Sequence, residues 1–396
     1  MKATIAILLA MMLGALAACS EGSGYGQDDL QRDLDAIRDR GAVGVQARVT
    51  LDGEVLVGTG GVADVQTREP VPENGHYRIA STTKTFVATV VLQLVGEDRL
   101  SLDDTVEEHL PGVVSGGGHD GSAITIRDLL QHTSGIYDYN NDEAWNPFKA
   151  LEIFEERRFY HYQPAELVAV AMRHPPIFEP GTARSYSNTN YVLAGMIIEA
   201  VTGNPWAEEV RDRIIEPLGL AQTTIANGPE MPDPHARGYY QFPDGGPLVD
   251  VTLLDPSAGD AGGAIISTPE DVTRFFSALL GGELLAPELL AEMQDSVPEG
   301  DGRYGLGLGW SPLSCGGGYW RHGGAVPGYL SYEGFNEDGS RGVVLSVSSW
   351  RADPIAGFAQ DEASFELIDK VLCARRSSTF SRQIVWSARE KVELLA

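Results

Sequence analysis

The sequence predicts an α+β fold in which an antiparallel sheet, flanked by helices, is interrupted by an inserted and mostly helical lobe. Near the N-terminus, apolar and polar residues alternate in residues 43–51 and 54–58, as in two strands joined by a tight turn. Helical periodicity dominates the middle of the chain, and strand-like alternation returns between residues 307 and 349. The two ends are therefore expected to share one sheet, with a cleft between the two lobes.

The predicted domain covers residues 30–373. Its α/β lobe takes in about residues 30–100 and 260–373, and its helical lobe about residues 101–259. The formal net charge of −27 excludes nucleic acid and anionic lipid surfaces as partners, because both would repel the protein.

The N-terminus resembles an export signal. A lysine at position 2 precedes an apolar stretch that is too short to span a bilayer. The stretch ends in Leu16-Ala17-Ala18-Cys19, which resembles the lipobox of bacterial lipoproteins, where the cysteine is lipid-modified and becomes the new N-terminus. We expect a signal peptide at 1–19, a linker at 20–29 and an exported protein whose only attachment to the membrane is a lipid on Cys19. Ordinary cleavage, with Cys19 discarded and the protein secreted, is the alternative.

Residues 77–95 carry the first candidate for chemistry, a strand-like run followed by an amphipathic helix with Ser81 and Lys84. Residues three apart lie on one face of a helix, so the amine of Lys84 can take the proton of the Ser81 hydroxyl while backbone N–H groups at the helix start point at it. Apolar residues between 86 and 94 are expected to bury the opposite face. A lone S-x-x-K is equally typical of an ordinary helix start with an exposed lysine, so other motifs must decide.

The remaining elements follow from capping signals and periodicity. Helices or short helical connections are predicted at residues 30–38, 103–111, 124–130, 165–173, 190–201, 206–215, 268–280 and 363–372. Strand-like segments are predicted at residues 307–310, 318–323, 329–336 and 342–349. Residues 228–256, rich in Pro, Gly and Asp, are expected to be irregular and to border the cleft. The tail at 374–396 is assigned no function.

With Cys19 set aside, Cys315 and Cys373 remain as an even pair, which we expect to be bridged in an exported protein. The sequence contains neither Cys-x-x-Cys nor His-Glu-x-x-His, so it predicts neither a metal site nor a cofactor.

Two motifs follow the Ser81–Lys84 pair. Tyr186-Ser187-Asn188 precedes a helix, and His322-Gly323-Gly324 follows a strand-like segment. A tyrosine, an amide and a basic side chain beside a Ser–Lys pair supply a proton relay, a clamp for the substrate carbonyl and a cationic or hydrogen-bonding wall. In this order the motifs resemble those of the serine β-lactamase and penicillin-binding superfamily, in its class C and D-alanyl-D-alanine carboxypeptidase branch.

The resemblance covers roughly residues 30–373 and is closest to the secreted actinomycete D-alanyl-D-alanine carboxypeptidase, which also has a bridge at the positions matching Cys315 and Cys373. It implies a β-lactamase/DD-peptidase fold and hydrolysis through an acyl-enzyme, without a cofactor. By this resemblance, Ser81 is the nucleophile and Lys84 and Tyr186 form the proton relay. The resemblance also implies that Asn188 binds the substrate amide, and that the backbone N–H groups of Ser81 and Ala325 bind the oxyanion. His322, Gly323 and Gly324 are implied to lie along the cleft.

The implied activity is that of a D-alanyl-D-alanine carboxypeptidase, with a peptidoglycan stem peptide, or a small amide or ester, as substrate and β-lactams as inhibitors. Two decoy matches, Tyr139-Asn140-Asn141 and His119-Asp120-Gly121, both precede Tyr186, so the family order favours Tyr186 and His322. The other histidines, including His132, are expected to be structural or to lie at the surface.

The sequence departs from the carboxypeptidases at two places. Those enzymes have Thr after the motif histidine and, thirteen residues before it, an Arg that binds the terminal carboxylate of the substrate; here the matching residues are Gly323 and Gly309. Arg321 and Arg303 are the candidates to replace that arginine. A β-lactamase, an esterase and a D-amino-acid amidase of the same fold therefore stay open, as does a non-catalytic lipoprotein that binds cell-wall fragments or penicillins.

The lipobox generates a prediction about attachment. In cells, the protein should partition with membranes and its N-terminal peptide should carry lipid on Cys19, whereas Cys19→Ser should appear in the soluble fraction. Ser20→Ala, which leaves the cysteine in place, is the matched control. Mass spectrometry of the mature N-terminus decides the matter, and a mature chain that lacks Cys19 contradicts lipidation.

Overall fold

The computed structural model describes residues 24–51, 53–243, 246–351 and 354–374 of the 396-residue chain. The predicted signal peptide with Cys19, the first residues of the predicted linker and residues 375–396 of the tail lie outside this range. Among the helices of the described residues, none is long and apolar enough to cross a bilayer.

The helical elements comprise α-helices, several short 3₁₀ turns and one π-helical turn. The helices are α1 (Gln27–Asp39), α2 (Thr83–Gly96), α3 (Val106–His109), α4 (Ile126–Gln131), α5 (Leu151–Arg157), α6 (Pro164–Ala171), α7 (Asn188–Thr202), α8 (Trp206–Val210), α9 (Glu216–Leu218), α10 (Pro269–Leu280), α11 (Pro287–Gln294) and α12 (Pro354–Cys373). The 3₁₀ turns are Ala80–Thr82, Gly121–Ala123, Tyr139–Asn141, Pro256–Ala258 and Asp260–Gly262, and a π-helical turn, Arg211–Ile215, joins α8 to α9.

Strands occupy mainly the two ends of the chain. They are β1 (Gly44–Leu51), β2 (Glu54–Gly61), β3 (Tyr77–Arg78), β4 (Ser115–Gly116), β5 (His119–Asp120), β6 (Thr224–Ile225), β7 (Tyr239–Gln241), β8 (Val249–Asp250), β9 (Ile265–Ser267), β10 (Val297–Glu299), β11 (Gly302–Tyr304), β12 (Gly309–Pro312), β13 (Gly318–Arg321), β14 (Gly323–Val326), β15 (Tyr329–Phe335), β16 (Gly342–Val347) and β17 (Ser349–Arg351).

The main sheet has nine strands in the order β10-β11-β12-β13-β15-β16-β1-β2, with β14 paired beside β15. β1 pairs antiparallel with β16, Val45 opposite Val347, so the first strand of the chain lies beside the last long one. The prediction that both ends of the chain share one sheet is confirmed, as are the antiparallel sheet with flanking helices and the mostly helical middle.

Helices cover both faces of the sheet. On one face, α1 and α12 pack Leu34 and Ile368 among the buried residues of β1, β15 and β16. On the other face, α10 stacks Phe276 on Phe335 of β15, with ring centroids 5.0 Å apart, and Phe275 on Phe86 of α2, with centroids 3.6 Å apart. α10 therefore connects the sheet to the helix that follows the candidate nucleophile.

The prediction that α2 is amphipathic is wrong. Residues 83–92 and Leu94 are all buried, including Lys84, which is 0% exposed. The apolar positions did mark a buried face, but the polar face, with Thr85 and Thr89, is covered as well. Thr85 Oγ1 donates to the carbonyl oxygen of Gly307 at 2.7 Å, and Thr89 Oγ1 donates to that of Thr85 at 2.7 Å. α2 is thus a central helix between the sheet and the helical lobe.

Two predicted boundaries also change. α1 begins at Gln27 instead of Leu30, because the Asp29 carboxylate accepts a hydrogen bond from the Gly26 N–H at 2.9 Å and so caps the helix. Residues 27–29, predicted as linker, are therefore helical. The predicted irregular stretch, 228–256, contains the short strands β7 and β8 and lines the cleft with Tyr240, Pro243, Leu254 and Pro256.

Cys315 and Cys373 lie with their sulfur atoms 2.06 Å apart, which joins the turn after β12 to the end of α12. We predict that non-reducing peptide mapping of the purified protein recovers these two residues in one linked peptide. Because the bridge closes a loop with a sequence separation of 58 residues, its loss in Cys315→Ser should lower the free energy of unfolding by about 4 kcal/mol. Cys19→Ser is the control, and a free thiol at position 315 contradicts the prediction.

Candidate active site

Ser81 lies in a tight 3₁₀ turn between β3 and α2. β3 pairs with β9, with Tyr77 opposite Ser267, which fixes the entry to the turn. Ala80, just before the serine, has a φ of 47°, in the left-handed region that an alanine adopts at a cost of about 1 kcal/mol. The strained turn presents Ser81 at the start of α2, where backbone N–H groups have no partner within the helix.

Ser81 has hydrogen-bond contacts with both predicted relay residues. Lys84 Nζ lies 3.1 Å from Ser81 Oγ, and the Tyr186 hydroxyl donates to the same oxygen at 2.8 Å. The structure therefore places these three side chains together, as S-x-x-K and Y-x-N required. Tyr186 comes from the helical lobe, just before α7, so the cluster exists only where the two lobes meet.

Burial of the Lys84 amine sets its basicity. Nζ donates to Asn188 Oδ1 and to the carbonyl oxygen of Gly262, each at 2.7 Å. Burial lowers the pKa of Lys84 to about 7, partly opposed by the charge of Asp138. A neutral amine has two hydrogens for Asn188 and Gly262, which leaves its lone pair directed at Ser81. Lys84 is thus suited to accept the proton of Ser81.

Asn188 connects Lys84 to a buried carboxylate. Its Nδ2 donates to Asp138 Oδ2 at 2.9 Å, while its Oδ1 accepts from Lys84. Burial raises the pKa of Asp138, and this is opposed by hydrogen bonds from the backbone of Asn140 and from Asn188 and by the charge of Lys84. The amide orientation is therefore fixed at both ends. Asp138 was not among the site residues predicted from the sequence.

Tyr186 stays a neutral phenol. Burial raises its pKa well above 10, so at neutral pH its hydroxyl carries a proton. His132 packs on the Tyr186 ring with centroids 4.3 Å apart and, with 0% exposure, is a structural residue and not a surface one. Burial likewise lowers the pKa of His132 well below its usual value, so it supports the tyrosine as a neutral ring.

His322 differs from the cationic wall that the sequence suggested. It is 5% exposed, and burial lowers its pKa to about 3. Its two ring nitrogens lie 2.7 Å from the carbonyl oxygen of Gly323 and 2.9 Å from the Tyr304 hydroxyl. The Gly323 carbonyl can only accept, so Nδ1 carries the hydrogen and Nε2 accepts from Tyr304. His322 is thus a neutral residue held behind the cleft.

β14 lies directly against the nucleophile turn. A Cβ on Gly324 would come within 2.1 Å of the carbonyl oxygen of Ile79, so only glycine permits this approach. Ala325, one residue along, lines the same cavity as Ser81. Its backbone N–H and that of Ser81 are the donors that the resemblance assigned to the oxyanion.

The cavity at the nucleophile has a volume of about 340 Å³. One end is formed by Ser81, Asn188 and Ala325. The rest of its wall combines side-chain amides with apolar and aromatic groups, among them Asn140, Asn146, Phe148, Leu254, Tyr240 and Trp350, and also includes the charged residues Arg78, Asp138 and Lys149. The amide, apolar and aromatic part of this wall suits an acyl group with an uncharged or apolar side chain.

The two decoy motifs have other roles. The Tyr139 hydroxyl is buried and donates to the carbonyl oxygen of Ala258 at 2.7 Å, and His119 Nε2 lies 3.1 Å from the carbonyl oxygen of His174. Neither of these hydrogen bonds involves Ser81. In the described part of the chain, no group of His, Cys, Asp or Glu side chains could hold a metal ion.

The candidates for carboxylate binding are already engaged. Arg321, 7% exposed, donates from Nε to Ser311 Oγ at 2.6 Å and pairs with Glu299 at 3.3 Å. A Cβ at Gly309 would lie 3.4 Å from Arg321 Cζ, so the guanidinium lies beside the position that lacks a side chain. Arg303 stacks on the ring of Trp310 with Cζ 4.6 Å from the centroid.

The other carboxylate oxygen of Glu299 lies 2.5 Å from Arg184 Nη2. Glu299 therefore takes the place of an external carboxylate between two arginines. The sequence contained no signal for this pairing, because the three residues are far apart along the chain.

Residues 28–363 match the β-lactamase family. The chain belongs to this family. Family members are serine hydrolases, and solved structures similar to this chain share its mixed fold of helices and antiparallel sheet.

Three relatives illustrate the range of this family. The structure of a D-stereospecific amidohydrolase from Streptomyces sp. superposes with a TM-score of 0.78 and 41% identity, covering 84% of this chain and 98% of that one. Penicillin-binding protein 4 of Amycolatopsis lactamdurans is 29% identical, over 80% of each chain. Esterase EstB of Burkholderia gladioli is 30% identical, over 69% of this chain and 75% of its own.

The basicity of Lys84 predicts the pH dependence of this β-lactamase-family protein. Protonated Lys84 has no lone pair, so kcat/KM for an activated ester should fall about tenfold per pH unit as pH drops below the lysine pKa of about 7. Asp138→Asn removes the negative charge that favours the ammonium, so the acidic limb should move to lower pH. Glu143→Gln, an exposed carboxylate in the same loop, is the control. An acidic limb that stays in place or moves upward in Asp138→Asn contradicts this assignment.

Proposed function

We propose that this protein is a serine amidohydrolase that forms an acyl-enzyme on Ser81 and cleaves small D-amino-acid amides or esters whose leaving group has no free carboxylate. The observation that carries the hydrolytic part is the contact of Ser81 Oγ with both Lys84 Nζ and the Tyr186 hydroxyl, at 3.1 and 2.8 Å. A hydroxyl held between a neutral amine and a phenol is an activated nucleophile.

In acylation, Ser81 Oγ forms a bond to the substrate carbonyl carbon while its proton passes to neutral Lys84. The carbonyl oxygen becomes an oxyanion that accepts hydrogen bonds from the backbone N–H groups of Ser81 and Ala325. Asn188 Nδ2 has a second hydrogen, beyond the one donated to Asp138, for the acyl carbonyl of the substrate. As the C–N or C–O bond breaks, the proton returns through Tyr186 to the leaving group.

In deacylation, water attacks the ester carbon, and the same groups transfer protons in the reverse direction. The proton of water passes to the Lys84–Tyr186 pair and then to Ser81 Oγ, which leaves as the hydroxyl. Because every proton that is taken up is returned, the cycle requires neither a metal nor a cofactor.

The choice of leaving group rests on Arg321. Recognition of a terminal carboxylate needs an arginine with free N–H groups, and Arg321 already donates to Ser311 and pairs with Glu299. The D-alanyl-D-alanine carboxypeptidase activity that the sequence resemblance implied therefore has less support than an amidase or esterase activity. The 41% identity with a D-stereospecific amidohydrolase, over almost the whole of that chain, and the match to an esterase support the same choice.

Binding of β-lactams is part of the proposal, because a β-lactam is a cyclic amide that Ser81 can open. The relative named as a penicillin-binding protein supports this. Export and the lipid anchor remain predictions from the sequence.

The test compares a D-alanyl-D-alanine peptide with its C-terminal amide. We expect the two kcat/KM values to differ by less than about tenfold, because the free acid gains no arginine contact. The amides of D- and L-alanine, measured in parallel, should favour the D form. An acid preference of more than about a hundredfold would show a carboxypeptidase and contradict the choice of leaving group.

Ser81→Ala is the control for the mechanism. This variant should keep its fold and lose the covalent adduct that intact-mass spectrometry detects after exposure to a penicillin or an activated ester. Full residual hydrolysis in Ser81→Ala contradicts the proposed nucleophile, and a wild-type protein that forms no adduct and hydrolyses nothing indicates a binding protein.

A further inference from the structure

Glu333 is a carboxyl group buried in the sheet directly behind the nucleophile turn. It lies on β15, is 1% exposed and has hydroxyl groups as its hydrogen-bond partners. Thr82 Oγ1 donates to its two carboxyl oxygens at 3.2 and 3.1 Å, and Ser331 Oγ is in hydrogen-bond contact with Oε1. A carboxyl in such a place is costly to bury, and nothing in the mechanism above uses it.

The two partners of Glu333 belong to the two halves of the oxyanion site. Thr82 follows Ser81 in the nucleophile turn, and Ser331 lies opposite Gly324 in the pairing of β14 with β15. Ala325 is the next residue along β14, opposite Leu330. A single side chain therefore ties the turn that carries one backbone donor to the strand pair that carries the other.

Backbone contact brings the same two elements together. Gly324 lies close to the carbonyl oxygen of Ile79, so β14 packs directly on the nucleophile turn. Van der Waals contact limits how close the strand and the turn can come, but it sets only the minimum separation. A hydrogen-bonded link across the same gap is needed to prevent the turn from moving away from the strand.

We propose that Glu333 is a positioning residue for the oxyanion site, which holds the backbone N–H groups of Ser81 and Ala325 in register by bonding Thr82 on one side and Ser331 on the other. The proposal rests on Ser81 as the nucleophile. Glu333 itself touches neither the substrate nor the reacting atoms.

The hydrogen-bond pattern accommodates a protonated carboxyl. Ser331 has one hydroxyl hydrogen, and its Oγ also lies 3.3 Å from the Tyr77 hydroxyl, in a geometry that allows Ser331 to donate to it. If Ser331 donates to Tyr77, the contact with Glu333 Oε1 needs a hydrogen from the Glu333 carboxyl. Thr82 then donates to the other carboxyl oxygen, and each contact has one hydrogen.

The surroundings favour that protonated form. Burial raises the pKa of Glu333 to about 8. Hydrogen bonding with Ser331 and Thr82 and the charge of Arg321 lower this pKa, but by less than burial raises it. Of the described residues, the charged or titratable ones that interact with it are Arg321 on β13 and Tyr77 on β3. Loss of the proton leaves a carboxylate anion buried away from water and removes the hydrogen that Glu333 donates to Ser331. Activity should therefore decline as pH rises through about 8.

The same shift has a defined effect on stability. A carboxyl whose pKa is higher in the folded protein than the usual 4.5 binds more protons when folded than when unfolded. Its contribution to the free energy of unfolding is therefore full below about pH 4.5 and is lost as pH rises toward 8.

The experiment compares Glu333→Gln, Glu333→Ala and the control Glu337→Gln, a carboxylate further along the same hairpin that accepts a hydrogen bond from Trp320 at 2.9 Å. The readouts are the pH profile of kcat/KM for an activated ester and the Kd for a phenylboronic acid, whose tetrahedral adduct on serine places an oxygen at the oxyanion position. Wild type and Glu337→Gln should show a basic limb near the carboxyl pKa of about 8.

Glu333→Ala should lower kcat by about thirtyfold or more and weaken boronic acid binding in parallel, with KM changed less than about threefold, because the loss falls on the tetrahedral state. Glu333→Gln, which has a neutral amide of similar shape, should recover most of this loss and show no basic limb.

A Glu333→Gln profile that keeps the wild-type basic limb overturns the proposal. So does a folded Glu333→Ala protein with unchanged kcat and boronic acid affinity. If Glu333→Ala does not fold, the glutamine variant decides the matter alone, and failure of both to fold shows a purely structural residue and also overturns it. Residual hydrolysis in Ser81→Ala is a separate result, which would contradict the proposed function and not the role of Glu333.

Discussion

The burial of one amine, that of Lys84, is the constraint on which the rest of the structure depends. A buried ammonium in direct contact with a carboxylate would form an ion pair and keep its proton. Here the hydrogen-bond partners of Nζ are a hydroxyl, an amide oxygen and a backbone carbonyl, all uncharged. Asp138 is held one side chain away, behind Asn188, where its charge moderates the loss of basicity without reversing it. The result is an amine that is about half neutral near pH 7, next to the oxygen that must lose a proton.

This constraint explains why α2 is central and not amphipathic. A helix with one solvent-facing side would leave its lysine in water with a normal pKa, so the polar face of α2 must be covered. Residues from both lobes complete that cover, with Gly262 before β9 on one side and Asn188 at the start of α7 on the other. The active site can therefore form only where the lobes are packed together. Tyr186 also belongs to the helical lobe, so its contact with Ser81 likewise depends on correct packing of the two lobes.

The sequence predicted the features that depend on local spacing. The contact of Ser81 with Lys84 follows from helical geometry, and the shared sheet follows from alternation at both ends of the chain. It missed groups whose role depends on distant partners, namely Asp138 behind Asn188, Glu299 between two arginines and Glu333 behind the nucleophile turn. Of the two characters suggested for His322, cationic or hydrogen-bonding, the structure favours a neutral, hydrogen-bonded ring. Burial, followed by the nearby charge of Lys84, keeps His322 neutral, and neither is visible in a three-residue motif.

The division of labour between Lys84 and Tyr186 follows from their opposite responses to the same burial. A buried amine becomes a weaker base and a buried phenol becomes a weaker acid, because in each case the neutral form is favoured. Tyr186, His132 and His322 are therefore neutral in the resting site, and Lys84 is about half neutral near pH 7. The tyrosine cannot act as an initial anionic base, because removing its proton near neutral pH would be too costly. It can pass a proton on in a concerted step, since a phenol both donates and accepts. The base that begins the cycle must then be the amine, and the site works by keeping it uncharged until Ser81 gives up its proton.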